Sequence, residues 1–219
     1  MIAMSKTEKT PANKKTYYHL ILDRSGSMSN CWNQTMSGLQ SQFQTIRNLQ
    51  QENPDQEIFV SVCIFDDVIE FIVPVSPANA DYSHLLRGVQ PRSNTALFDA
   101  IGDSIRHIEL HGGRFIEEKE ASVVMVILTD GYENASRRYS GPMIRREIER
   151  LRATDLWSFT FLGADFDVTS TADEFNAGSY ASMNFSKQNM VQAFQEVDSK
   201  MAEYVASKKE GKTKKDFLN

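Results

Sequence analysis

Residues 122–129 read Ser-Val-Val-Met-Val-Ile-Leu-Thr, the most apolar run of the chain. A run this short and this apolar suits a strand at the centre of a sheet, buried on both faces. Such a strand needs a helical layer on each side, and the rest of the sequence supplies them. β-rich runs alternate with segments whose apolar residues recur at helical spacing. Strands are expected over 17–23, 57–65, 68–75, 122–129, 156–162 and 180–185. Helices are expected over 29–51, 97–110, 142–152 and 187–207, with a short one over 168–176. Only Asp66 and Asp67 separate the second and third strands, and so short a link makes an antiparallel hairpin at one edge. The fold class is therefore α/β: a doubly wound, mostly parallel, six-stranded sheet with an antiparallel edge strand and helices on both faces. Residues 111–120, which contain Gly112-Gly113, read as a polar loop.

The chain's 219 residues fit one domain, with 1–15 as a disordered leader, 16–207 as the folded unit and 208–219 as a solvated, lysine-rich tail. The first segment has no apolar core of the kind a signal peptide carries, and no run approaches the length of a membrane span. A net charge of −5 argues against general nucleic-acid or membrane binding. Two cysteines, Cys31 and Cys63, fit free thiols in a reducing compartment, so a cytoplasmic location is expected. Cys31 falls near the start of the first helix, and Cys63 lies within a strand.

In open α/β sheets the loops after the strands gather at one edge, where ligands bind. Three loops here carry hard oxygen donors. Asp23-Arg24-Ser25-Gly26-Ser27 follows the first strand, Arg92-Ser93-Asn94-Thr95 precedes a helix, and Thr129-Asp130-Gly131 follows the central apolar strand. Asp-x-Ser-x-Ser, a lone Thr before a helix, and Thr-Asp-Gly, in this order and context, resemble the von Willebrand factor A family, intracellular bacterial type. The likeness in element order runs from Tyr17 to Ser207. That family uses the set as a metal-ion-dependent adhesion site. Carried over residue by residue, the metal ligands are Asp23, Ser25, Ser27, Thr95 and Asp130. The family often has Gly just before the Thr, where this chain has Asn94.

The donor set suits Mg²⁺, with Mn²⁺ as a substitute and calcium less suited to so compact a site. Three neutral hydroxyls leave the ion poorly neutralised, and in the family the aspartates often act partly through water. The resemblance thus implies a non-catalytic, Rossmann-like interaction module whose protein partner supplies an Asp or Glu carboxylate. It also implies a setting such as a ring-forming ATPase or a stress-response system, tellurite resistance included. Asn94, Tyr132, Glu133, Arg137 and Arg138 are candidates for a partner-binding rim. Two rivals stand beside this. A phosphohydrolase of the haloacid dehalogenase-like type would need a second Asp two residues after the first, where Ser25 stands. A structural assembly protein would need no working metal site.

Other candidates carry less. His107 and His111 have a zinc-like spacing on a helix but no third ligand, which fits a solvated face or a helix end. His19 reads as a packed core residue. Arg145, Arg146, Arg150 and Arg152 could extend a basic rim, or be balanced by Glu147 and Glu149.

Overall fold

The computed structural model describes residues 13–164 and 181–212. Six strands form one sheet: β1 (Lys15–Asp23), β2 (Glu57–Phe65), β3 (Ile69–Pro77), β4 (Ala121–Thr129), β5 (Trp157–Ala164) and β6 (Ala181–Phe185). Their order is β3-β2-β1-β4-β5-β6, and only β2–β3 is antiparallel. Among the described residues the helices are α1 (Trp32–Glu52), α2 (Leu97–Glu117), α3 (Gly141–Arg152) and α4 (Met190–Lys209), with short 3₁₀ turns at Gly26–Asn30, Ser83–Leu86 and Lys187–Asn189.

Every residue of β4 is buried, because β1 and β5 flank it and helices cover both faces. The alternation of side chains along the strands then divides the core in two. On one face Tyr18, Leu20 and Leu22 pack with Leu39, Phe43, Phe194 and Met201 of α1 and α4. On the other Tyr17 and Ile21 pack with Leu97, Ile101, Ile105 and Ile148 of α2 and α3. The chain leaves β1 toward β2 on one side, while β4 lies on the other. The order of strands therefore reverses at β1, which opens a crevice beyond the carboxyl ends of β1 and β4.

The polar loop expected over 111–120 is instead the last two turns of α2, which continues to Glu117. Gly112 is the reason. A Cβ there would meet carbons of the Tyr17 ring at 2.7 Å, so the glycine lets the helix lie directly on β1. That contact, with buried Ile116 beyond it, offsets the roughly 1 kcal/mol that glycine costs a helix. The first helix begins at Trp32 rather than residue 29, because Gly26–Asn30 winds as a 3₁₀ turn. The short helix expected over 168–176 lies outside the described residues.

The tail expected from 208 also needs correction at its start. α4 runs on to Lys209, and Lys208 is buried. Its ammonium donates to the Lys15 carbonyl (2.6 Å), Thr16 Oγ1 (2.8 Å) and Ser122 Oγ (2.9 Å), at the amino ends of β1 and β4. Burial pulls the Lys208 amine down to about 7.

His19 is fully buried, as expected, and faces α2. Its Nδ1 lies 2.5 Å from Ser61 Oγ, and its ring is 6.2 Å from that of His107. His107 is thus half-buried over Phe71 (ring centroids 4.1 Å apart), whereas His111 is exposed. Cys31 and Cys63 are both buried thiols, not joined in a disulfide. No described helix is long and apolar enough to cross a membrane.

Candidate metal centre

Three loops meet at the crevice, and backbone hydrogen bonds sew them together. The Arg24 amide donates to the Phe65 carbonyl, the Arg92 amide to the Arg24 carbonyl, and the Gly26 amide to the Ser93 carbonyl. Ser93 takes a left-handed conformation (φ 60°), so the turn that aims Thr95 inward is made one residue earlier than Asn94. The amides of Asn134 and Ala135 both donate to the Thr95 carbonyl, and Asn134 Oδ1 accepts the Thr95 amide at 2.9 Å. The loop after β4 is thereby locked onto the loop before α2.

Beneath them lies a charged brace. Buried Arg24 donates through Nε to Asp66 Oδ2 (3.0 Å) and also pairs with Glu70, and Arg92 Nε reaches the same Asp66 oxygen at 2.6 Å. Burial alone would push the Asp66 carboxyl up. The Arg92 hydrogen bond, the Val68 amide and the two guanidinium charges outweigh it and hold the group below the usual carboxylate range. This brace ties the end of β1 to the β2–β3 hairpin.

The amino end of α2 is capped from outside. Ala96 has no capping side chain, so Glu133 Oε2 accepts the Phe98 amide (3.0 Å) and Ser136 Oγ accepts the Asp99 amide (3.0 Å). Glu133 also accepts the amides of Ala135 and Ser136 and the Ser136 hydroxyl. In return the Asp99 carboxylate accepts the amides of Arg137, Arg138 and Tyr139.

On this frame sit the five oxygen-bearing side chains singled out in the sequence. Asp23 Oδ1 accepts the Ser25 amide at 2.7 Å, and its Oδ2 accepts the Thr129 hydroxyl at 2.6 Å. Ser27 donates its hydroxyl to Asp130 Oδ1 at 2.6 Å. A Cβ placed on Gly131 would stand 3.4 Å from Thr95 Oγ1, 3.5 Å from Ser27 Oγ and 4.0 Å from Ser25 Oγ. The three hydroxyls thus face one small space, which Gly131 leaves clear. The other Asp130 oxygen, Oδ2, is buried and accepts no hydrogen bond among the described residues, although the Lys187 ammonium stands 2.5 Å away.

These residues fit a small, hard cation. An octahedral ion with oxygens at about 2.1 Å separates neighbouring ligands by about 3.0 Å. Ser25 Oγ and Ser27 Oγ are 3.0 Å apart. Among the described residues no group of three or more His, Cys, Asp or Glu side chains could hold a metal, so a nitrogen- or sulfur-rich site is not offered there. Burial pushes the Asp23 carboxyl up to about 6, against the hydrogen bonds from Thr129 and Ser25 that pull it down. A cation beside it would reverse that cost.

The rim candidates divide. Tyr132 is 66% exposed beside the site, and Asn94 and Arg137 are exposed. Together with Asn134 and Ser136, Asn94 and Arg137 line an open cleft of about 770 Å³. Glu133 spends its carboxylate on the α2 cap, and Arg138 pairs with Asp103 through two hydrogen bonds (2.8 and 2.6 Å). On α3, Arg145 pairs with Glu149, and Arg150 with Glu147 and Glu109, so these arginines are balanced within their own layer. Sequence reasoning passed over Thr129 and Lys187. The Thr was visible in Thr129-Asp130-Gly131, but nothing near Lys187 signals its contact.

No family model and no curated protein matches the sequence. Solved structures match its fold. Proximal thread matrix protein 1 from the mussel byssus, with a zinc-occupied MIDAS motif, superposes with a TM-score of 0.57 at 14% identity, over 89% of this chain and 47% of that one. A von Willebrand factor type A protein from Catenulispora acidiphila gives 0.57 at 15% identity, over 86% and 43%. The vWF domain of the pilus tip protein Mfa5 from Porphyromonas gingivalis gives 0.61 at 8% identity, over 86% and 95%. The chain spans less than half the length of the first two. At identities this low the superpositions show a shared fold alone.

Proposed function

We propose that the protein is a metal-dependent interaction module that binds a carboxylate of a protein partner. The observation that carries this reading is the convergence of the Ser25, Ser27 and Thr95 hydroxyls on one space flanked by the buried side chains of Asp23 and Asp130. Asp23, Ser25, Ser27, Thr95 and Asp130 would hold Mg²⁺, or Mn²⁺ in its place. A bound cation supplies an electrophilic centre that three neutral hydroxyls leave poorly neutralised. The chain's own residues do the rest. Thr129 and the Ser25 amide fix the Asp23 carboxylate, Ser27 fixes Asp130, and the Arg24–Asp66–Arg92 brace holds the loops in register.

The zinc-occupied MIDAS motif of the mussel protein, on the same fold, supports a divalent-cation reading. The partner would approach over exposed Tyr132 and Asn94, with the Arg137 guanidinium placed to meet an acidic surface. Ser25 occupies the position where a haloacid dehalogenase-like phosphohydrolase needs its acid–base carboxylate, and it cannot take that role.

The test is a pull-down from cells of the source organism in Mg²⁺ and in chelator, with wild type and Asp23→Ala. Partners retained by wild type only in Mg²⁺, and lost in Asp23→Ala, are the expected result. Identical capture under all conditions refutes the reading. So does metal-dependent hydrolysis of aryl phosphates that is lost in Asp23→Asn.

A further inference from the structure

Lys187 begins the short turn that leads into α4, far along the chain from the loops of the candidate site. Its ammonium nevertheless stands 2.5 Å from Asp130 Oδ2 and donates to the Ser27 carbonyl at 3.0 Å. The Asp130 side chain is fully buried and that of Lys187 is 20% exposed, so the pair is largely shut away from water. The oxygen engaged is the Asp130 carboxylate oxygen that accepts no hydrogen bond among the described residues. A buried carboxylate without a positive partner is costly, and here the chain provides one of its own.

We propose that the Lys187 ammonium is a tethered counter-cation for Asp130, which a divalent metal ion must displace. This inference rests on the reading of the site as a metal centre. A doubly charged ion held by the Ser25, Ser27 and Thr95 hydroxyls and by Asp130 would sit within a few ångströms of the ammonium and repel it. Lys187 and the metal therefore exclude one another. Displacing Lys187 also breaks its bond to the Ser27 carbonyl, which fastens the lead-in of α4 to the loop after β1. Loading the site thus loosens residues 187–190, and seating that turn lowers the apparent affinity for the ion. The lysine also satisfies Asp130 without a metal, so the fold does not depend on metal to stay closed at this edge.

The experiment titrates the full chain with Mn²⁺ alone, by calorimetry, in three forms: wild type, Lys187→Met and Asp130→Asn. Lys187→Met keeps the aliphatic stem and removes the charge. It is expected to bind Mn²⁺ about tenfold more tightly than wild type. Its melting temperature without metal should be lower than that of wild type, and Mn²⁺ should raise it by more than it raises that of wild type. Wild-type binding with an unchanged affinity in Lys187→Met overturns the inference and leaves the metal centre standing. No Mn²⁺ binding in either form overturns both. Asp130→Asn should bind weakly. Should Lys187→Met fail to fold, wild type alone decides by hydrogen exchange. Mg²⁺ is expected to speed exchange of the Asn189 amide, which donates to the Ser186 carbonyl at 2.8 Å, and unchanged exchange in saturating Mg²⁺ overturns the inference.

Discussion

Thr129, the last residue of β4, donates its hydroxyl to Asp23 Oδ2, the last carboxylate of β1, across 2.6 Å. The bond joins the two strands at the point where the sheet's order reverses. Both groups are buried, so losing the donor leaves a carboxylate oxygen short of a partner where water cannot replace it. Thr129→Val, which keeps the shape, is expected to destabilise the domain by about 1–3 kcal/mol. It should also weaken Mn²⁺ binding about tenfold by freeing the Asp23 side chain. Urea unfolding and metal titration of the same variant read the two effects separately.

Gly38 of α1 faces the ring of Phe194 of α4. A Cβ at Gly38 would lie 2.0 Å from Phe194 Cδ2, so the two helices approach as closely as they do only because that position is bare. Gly38→Ala should gain about 1 kcal/mol of helix propensity. It should lose about 1–3 kcal/mol to overpacking, giving a net destabilisation. The double variant Gly38→Ala with Phe194→Leu should recover part of the loss, and chemical denaturation of the four forms makes the cycle.

His19 holds a proton far less well than a surface histidine. Burial, helped by the nearby His107, pushes it down to about 3. The unfolded chain takes up this proton near 6.5 and the folded one does not, so acidification favours unfolding. The cost should accrue at about 1.4 kcal/mol per pH unit below 6.5. His19→Gln removes it. The stability gap between wild type and His19→Gln should therefore narrow by about 2–3 kcal/mol between pH 6.5 and 4.5, measured by urea unfolding at each pH.

Asp198 of α4 acts the other way. Burial pushes its carboxyl up to about 6, only partly opposed by the Thr45 hydroxyl at 3.0 Å. The folded state then holds the proton longer than the unfolded one, and stability falls as pH rises from the ordinary carboxylate range through 6. Asp198→Asn keeps an acceptor for Thr45 and removes the charge. It should be nearly neutral at pH 4 and more stable than wild type at pH 8, by about 1–2 kcal/mol after allowance for the group's partial exposure. Melting temperatures at the two pH values check the sign.

Much of the architecture is legible in the sequence because strand period and helical period differ so plainly. The second strand, expected over 57–65, is Glu57–Phe65, and the hairpin expected at Asp66-Asp67 is antiparallel and at the edge, with Val68 part of the turn because β3 begins at Ile69. Where the sequence misleads, a tertiary contact overrides a local signal. Gly112-Gly113 looks like a loop until the Tyr17 ring is seen against Gly112. Lys208 looks like the start of a solvated tail until three oxygens from the amino ends of β1 and β4 close around its amine. At the candidate site the strand order brings the loops after β1 and β4 together, and backbone hydrogen bonds from Gly26 and Asn134 draw in the Thr95 loop. Sequence could not show that Glu133 turns back to cap α2 rather than facing outward, or that Lys187, far along the chain, reaches Asp130. Both depend on distances between segments that no pattern within a segment records.

The three bonds made by Lys208 decide how α4 can move. They fasten its last turn at the rim of the sheet opposite the one where Lys187 touches Asp130. A rod riveted at one end swings and does not slide. If the near end lifts, the whole helix should hinge about its far end, with displacement growing steadily from Lys208 back toward Met190.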